Sequence, residues 1–352
     1  MEHWMHGGDI YRNTITYDFS VNVNPLGVPN GVRQAMLDAV AHCDRYPDLH
    51  VQKVREAIGK YLHVSRDCIL CGNGASELIM ATFHALQPKK VVIPVPSFYG
   101  YEYATNSGMC DVIYYPLQET KGFAIGDSIF EVLQEDVDLL LLASPNNPTG
   151  KMILDAQLIE LLEWCKQRNI FVLLDQCFVD FVDAGIDMAR QINDVRALLV
   201  QYPNLMLLRA FTKTFCIPGV RLGYLMCEDD GVRKRIARQL PEWNVSYVAQ
   251  AAGEAACKER EYVSQSRAYV KQEREWLMEQ LQAFGFICYE SAANYVLFFS
   301  DIPLYDALLK QGILIRDCSN YRGLRQGFYR IAVRSREENE RLCEAIRQCI
   351  EL

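Results

Sequence analysis

Lys213 is the one charged residue between Arg209 and Arg221, and it lies just past the apolar run Leu205 to Leu208. A lysine amine that is partly desolvated, with a cation nearby, loses basicity, and a neutral amine attacks an aldehyde. Beyond the Pro218-Gly219 turn, Arg221 offers a fixed charge suited to a phosphate. Amine and arginine together would capture a phosphorylated aldehyde. Taken alone, Lys213 is equally a surface lysine ahead of a turn, so other segments must decide.

Asp175 closes the apolar run Ile170 to Leu174. A carboxylate at the mouth of a buried strand is costly unless paired. A protonated pyridine nitrogen is an attractive partner, because such a ring must stay charged to accept electrons; a helix-capping aspartate is the plainer alternative. Gly72-Asn73-Gly74-Ala75-Ser76-Glu77 joins a short strand to an apolar helix, and the free N–H groups of a helix start cradle anions. Ser144-Pro145-Asn146-Asn147-Pro148-Thr149-Gly150 ends a second apolar run in a rigid loop that carries side-chain amides. Phe98 and Tyr99 end a third, either as ligand contacts or as core aromatics. Arg316, Arg322, Arg330 and Arg334 punctuate the last part of the chain. Two-residue periodicity puts Arg330 and Arg334 on the face opposite Ile331 and Val333. There they would read carboxylate or phosphate, or form rim salt bridges.

The elements that must position these groups follow from periodicity. Helices are expected at Val32 to Cys43 with Asn30 as cap, Val51 to Leu62, from the Gly72 to Glu77 turn to about Leu86, Ile129 to Gln134 and Asp155 to Arg168. Strands are expected around Phe19 to Val23, Cys68 to Cys71, Lys90 to Pro94, Val137 to Ala143, Ile170 to Leu174 and Leu205 to Leu208. From residue 65 to about 227 this is α/β alternation with a parallel sheet. After Glu228-Asp229-Asp230-Gly231 the character changes. Long amphipathic helices (Val232 to Leu240, about Val248 to Phe284) precede short strands at Phe286 to Tyr289, Tyr295 to Phe299, Ile313 to Ile315 and Tyr329 to Val333. A helix lies between Leu304 and Gln311, and Arg336 to Ile350 closes the chain. The expected organisation is an N-terminal arm over 1–30, a large domain over 31–230 and a smaller α+β domain over 231–352.

The 352 residues suffice for two such units, and a formal charge of −8 without a basic run argues against nucleic acid. The 13 cysteines, odd in number and without a framework, read as reduced thiols of a cytoplasmic protein. Cys68-Ile69-Leu70-Cys71 lacks the second pair that a zinc site needs, so no metal is expected. Met1 to Gly8 has no signal-peptide pattern, and no apolar run approaches the ~20 residues that span a bilayer.

Taken in order, these segments resemble the fold-type I, pyridoxal 5'-phosphate (PLP)-dependent enzymes of the class I/II aminotransferase family. The stretches that carry the resemblance are His6-Gly7-Gly8-Asp9, Asp18 to Gly27, Arg45-Tyr46-Pro47-Asp48, Ser144 to Gly150, Thr212-Lys213, Ile217 to Tyr224, Ile313 to Arg316 with Asn320-Tyr321, and Tyr329 to Ser335. The threonine-phosphate decarboxylase branch is the nearer and the histidinol-phosphate aminotransferase branch the next. The resemblance implies the aspartate aminotransferase-like fold, with Lys213 as the Schiff-base lysine. It pairs Asp175 with the pyridine nitrogen, Asn147 with the 3'-oxygen and Phe98 with the ring face. Gly74, Ala75, Ser76, Thr212 and Arg221 would hold the cofactor phosphate, helped by Tyr46 from the other subunit of a homodimer. Arg330 would take the substrate carboxylate, and His6, Asn22, Arg316 and Arg334 are candidates for the substrate phosphate.

Three residues depart from the family pattern: Ala210 replaces a hydroxyl residue, Gln176 a glutamate, and Phe178 the tyrosine of many aminotransferases. The leading expectation is decarboxylation of L-threonine O-3-phosphate to aminopropanol phosphate, a cobalamin side-chain precursor. The alternative is amino transfer from histidinol phosphate or an aromatic amino acid to 2-oxoglutarate. A non-catalytic module of a DNA-binding regulator is disfavoured by the acidic charge.

Overall fold

Apolar runs without alternation dictate the centre of this protein. The computed structural model describes residues 6–106, 110–183 and 194–351; Met1 to Met5, read above for a targeting pattern, lie outside them. The strands are β1 (Tyr17–Asp18), β2 (Ile69–Gly72), β3 (Lys90–Val95), β4 (Asp111–Pro116), β5 (Leu139–Ala143), β6 (Phe171–Asp175), β7 (Leu205–Ala210), β8 (Gly223–Cys227), β9 (Ile287–Cys288), β10 (Tyr295–Phe299), β11 (Ile313–Leu314), β12 (Arg316–Asp317) and β13 (Phe328–Ala332). Seven form one sheet in the order β2-β8-β7-β6-β5-β3-β4. Only β8 runs against the others.

Both faces of this sheet are buried, which is why its strands read as continuous apolar runs. Leu140, Leu142, Val172, Leu174, Leu205 and Leu207 join one core, and Leu139, Leu141, Leu173, Met206 and Leu208 the other. Polar side chains are thereby expelled to the strand ends. Because the strands are parallel and in register (Ala143 opposite Asp175, Asp175 opposite Leu208), those ends share one edge. The chain changes direction across the sheet between β3 and β5, the place where α/β sheets open a crevice.

The second sheet, β12-β13-β10-β9, packs a separate core containing Phe298, Ile331, Leu281 and Leu342. The N-terminal stretch bridges the two. β1 pairs in parallel with β11, Phe19 N donates to Leu314 O at 2.8 Å and Ala332 N to Phe19 O at 2.8 Å. Farther on, Asn24 N donates to Lys213 O at 3.1 Å. Asn24 Nδ2 reaches Thr214 O and Ser266 Oγ, both at 2.7 Å.

Several expectations are corrected. The first strand is Tyr17–Asp18 rather than Phe19 to Val23, because Asp18 Oδ1 accepts from Ser20 N and Oγ and bends the chain there. Asn30 is not a cap but the first residue of helix Asn30–Val40, with Pro29 as N-cap. The long helix from about Val248 is two, Tyr247–Ala256 and Arg260–Ala283. Lys258 N and Glu259 N close tight turns onto Ala255 O and Ala256 O, and no proline or glycine marks the break. Helix Tyr99–Asn106 and strand β4 carry no clear period and were not anticipated. Gly100 and three tyrosines are poor helix formers. β4 lies at the sheet edge, half-buried along most of its length.

Candidate active site

The strand ends enclose a cavity of about 230 Å³. Lys213 reaches it from the single turn Phe211–Thr214 after β7, Asp175 from the end of β6, Asn147 from the loop after β5, and Phe98 from the loop after β3. Ala75 and Ser76 open helix Ala75–Leu86 at the same cavity. Of the other residues singled out, His6, Asn22, Thr212, Arg221 and Arg330 also line it.

Gly74 is needed as glycine. Its φ is +78°, and a Cβ there would lie 2.5 Å from an Arg221 terminal nitrogen. Gly223 is equally constrained, because a Cβ would approach Ala75 N to 2.6 Å. Arg221 thus closes directly over the helix start, where the positive end of the helix dipole and a guanidinium meet.

Asn147 is delivered by a loop tied at its neighbour. Asn146 Nδ2 donates to Pro96 O and Thr149 Oγ1, both at 2.9 Å, and Tyr295 Oη donates to Asn146 O at 2.8 Å. Asp175 Oδ2 accepts from Tyr101 Oη at 2.7 Å, and Oδ1 accepts from Cys177 N at 2.8 Å. Burial pushes the Asp175 carboxyl up from its ordinary value, opposed first by the Cys177 thiol, then by the Cys177 N–H, Tyr101 and Lys213. Burial, reinforced by Arg330 and Arg221, pushes the Lys213 amine down to about 8. A larger share of the Lys213 amine is thereby neutral near neutral pH than for an exposed lysine.

Arg330 is 5 % exposed, yet no carboxylate pairs with it among the described residues. Neutral acceptors hold it: Ser20 O at 2.8 Å, Asn147 Oδ1, and Asn22, whose amide oxygen accepts from Nε and Nη1 at 3.3 Å once the amide is turned to satisfy both of its ends. A buried cation with only neutral partners is poised for an anion. Two side recesses of about 210 and 200 Å³ adjoin the cavity through Tyr321 and His6, and Arg316 lines both. Arg316 is buried, bonded to Asn320 Oδ1 at 2.8 Å. Burial and the charges of Arg316, Arg330 and Lys213 hold His6 below its ordinary pKa.

Arg334 and Tyr46 line neither the cavity nor its two side recesses. β13 stops at Ala332, so strand alternation no longer governs Arg334. It pairs instead with Glu338 at 2.9 Å, beside the capping box that Ser335 and Glu338 form at the start of helix Arg336–Ile350. Tyr46 is 78 % exposed and packs on Trp243 with ring centroids 4.7 Å apart.

The departures also find places. Ala210 and Thr212 both line the cavity, so a hydroxyl is present two residues on. Gln176 Oε1 accepts from Arg209 Nε and Nη2 at 3.0 and 2.9 Å. Phe178 lines the cavity and meets Tyr295 edge-on at 5.0 Å. Sequence reasoning assigned nothing to Tyr101, Tyr321, Cys177 or Ser20. The only signal for Tyr101 was its closeness to Phe98 after a strand end.

Comparison with known proteins adds an independent finding. The family model of aminotransferase class I and II matches residues 14–346. The chain belongs to this family. Members of the class I/II family are PLP-dependent enzymes. The threonine-phosphate decarboxylase of Salmonella typhimurium is 35% identical over 98% of this chain and 96% of its own. The histidinol-phosphate aminotransferase of an Anaeromyxobacter species is 34% identical over 92% of this chain and 88% of its own. The solved histidinol-phosphate aminotransferase from Clostridium acetobutylicum has a TM-score of 0.87 at 29% identity, covering 95% of this chain and 99% of that one. This class I/II chain has the aspartate aminotransferase-like fold, with its mixed, largely parallel sheet flanked by helices. No described helix is long and apolar enough to cross a membrane.

Proposed function

We propose that this cavity holds PLP and decarboxylates L-threonine O-3-phosphate to aminopropanol phosphate. The residues present fit the cofactor. The glycine-only cradle at Gly74, with Ala75, Ser76, Thr212 and Arg221, would hold its phosphate. Lys213 would hold its aldehyde carbon, Asp175 its ring nitrogen, Asn147 its 3'-oxygen and Phe98 its ring face. When bound, PLP supplies an electron sink for a bond broken at the substrate Cα.

The protein's own groups decide which bond that is. The observation that carries the reading is the buried, acid-free guanidinium of Arg330, with a second buried guanidinium, Arg316, in the recess it shares with His6. Threonine phosphate brings a carboxylate and a phosphate to those two places. Histidinol phosphate brings only the phosphate, and in that reaction the carboxylates come with the acceptor, 2-oxoglutarate. Arg330 would fix where the carboxylate lies, and with it whether the bond from Cα to the carboxylate is the one placed for cleavage. A Cα–H bond so placed instead would lose its proton to Lys213 as general base, and amino transfer would follow. That second outcome, with histidinol phosphate as donor, is the alternative that the aminotransferase relatives favour.

We infer in addition that the protein works as a homodimer in which Tyr46 reaches the cofactor phosphate of the other subunit. Its exposure within its own chain supports this. The test of the reaction is one incubation of the PLP-loaded protein with L-threonine O-3-phosphate, with and without 2-oxoglutarate. CO2 and aminopropanol phosphate should form without the keto acid, and not in Lys213→Ala. Product formation only with 2-oxoglutarate would assign the aminotransferase branch.

A further inference from the structure

Tyr101 has no part in the roles assigned so far, yet it touches two of the groups that have one. It lies on helix Tyr99–Asn106 and is 2 % exposed. Its hydroxyl donates to Asp175 Oδ2 at 2.7 Å. Its ring meets Phe98 edge-to-face, with centroids 5.6 Å apart and planes at 87°.

We propose that Tyr101 is a positioning residue that keeps Asp175 ionised and fixed in rotation, while its ring sets the plane of Phe98. Among the described residues, the titratable groups that face the Asp175 carboxyl include Tyr101, Cys177 after β6, Lys213 after β7 and Tyr295 on β10. Of these, Lys213 alone brings positive charge, and that charge fades as the amine becomes neutral near pH 8. The Tyr101 O–H and the Cys177 N–H are donors whatever the state of Lys213. A hydrogen bond given to the charged form of an acid favours that form and weakens it as a base. Asp175 held in this way keeps a negative charge for a protonated ring nitrogen without drawing the proton onto itself. Burial holds the Tyr101 phenol well above its usual pKa, so it stays a donor throughout the working range. Because the two carboxylate oxygens are fixed by donors from different segments, the group cannot rotate without losing both bonds.

The consequence for the electron sink rests on the PLP reading, whereas the effect on Asp175 does not. Tyr101→Phe keeps the ring and its contact with Phe98 and removes only the hydroxyl. In the cofactor-free protein, carboxyl-13C aspartate NMR should show the Asp175 midpoint rising by about one pH unit in Tyr101→Phe, the resonance being assigned by its loss in Asp175→Asn. Replacing Tyr101 by 3-fluorotyrosine, a stronger donor, should move the midpoint the other way. In the loaded protein, 15N in the cofactor ring should shift towards its unprotonated position in Tyr101→Phe, and kcat should fall about tenfold with KM little changed. An Asp175 midpoint that stays within about 0.2 of a unit in both variants would overturn the proposal. A loss of kcat with both NMR signals unmoved would do so too, assigning Tyr101 to packing. Were the wild type to take up no PLP, the functional reading would fall, and the cofactor-free titration would still decide the role of Tyr101.

Discussion

The two walls of the cavity are built in different ways. The wall proposed to hold the cofactor is a row of strand ends: Asp175 closes one parallel strand, Asn147, Phe98 and Lys213 follow others of the same sheet, and their spacing is fixed by its register. The substrate wall is assembled from distant parts of the chain. Arg330 on the second sheet is held by Ser20, 310 residues away in sequence, and by Asn147, 183 residues away. The first wall is as rigid as the sheet. The second is as good as the arm that Asn24 and β1 pin in place. Damage to the cofactor wall should therefore abolish chemistry. Damage to the substrate wall should weaken substrate capture and leave the cofactor in place.

The largest effect is expected from Lys213→Ala. Decarboxylation should fall by at least about a thousandfold, and the PLP absorption band should be lost on dialysis, with the fold retained by circular dichroism. Arg330→Ala should lower kcat/KM by roughly a hundredfold or more, while PLP stays bound on dialysis. Arg330→Lys should rescue it only in part, because an ammonium cannot repeat the forked contacts to Ser20 and Asn147. Loss of cofactor in Arg330→Ala would break the division between the walls.

Asn24→Ala tests the pin. It removes two buried hydrogen bonds and should cost about 1–3 kcal/mol of stability in urea titrations. It should also raise KM more than it lowers kcat. The next effect is one of pH. PLP uptake by the cofactor-free protein needs the neutral Lys213 amine, so its rate should rise about tenfold per pH unit and level off above about 8. The folded value lies below the ordinary 10.5, so stability of the cofactor-free protein should climb between about 8 and 10.5. Lys213→Met should lack that climb in melting curves. The smallest effect is expected from Arg334→Ala, which should leave kcat/KM within about threefold because Arg334 serves Glu338 rather than the cavity.

The same contrast explains what was legible beforehand. A buried parallel strand admits no polar side chain until its end, so Asp175, Asn147 and Lys213 announce themselves where an apolar run stops. Gly74 and Arg221 are legible as a turn and a charge in the right order. The substrate wall leaves no such local mark. Arg330 and Arg334 look alike in sequence, and only the end of β13 at Ala332 and the capping box beyond it separate them. Tyr101 was hidden because its helix has no period to read. The break near Lys258 was hidden for the opposite reason, since the helical pattern runs through it.

A substrate wall with two cations, Arg330 and Arg316, should select a substrate with two anionic groups. The most direct measurement is kcat/KM for CO2 release from L-threonine O-3-phosphate against kcat/KM for amino transfer from histidinol phosphate, on one PLP-loaded preparation. A ratio of at least about a hundred in favour of threonine phosphate is expected, falling towards unity in Arg330→Ala. A ratio in favour of histidinol phosphate in the wild type would contradict it.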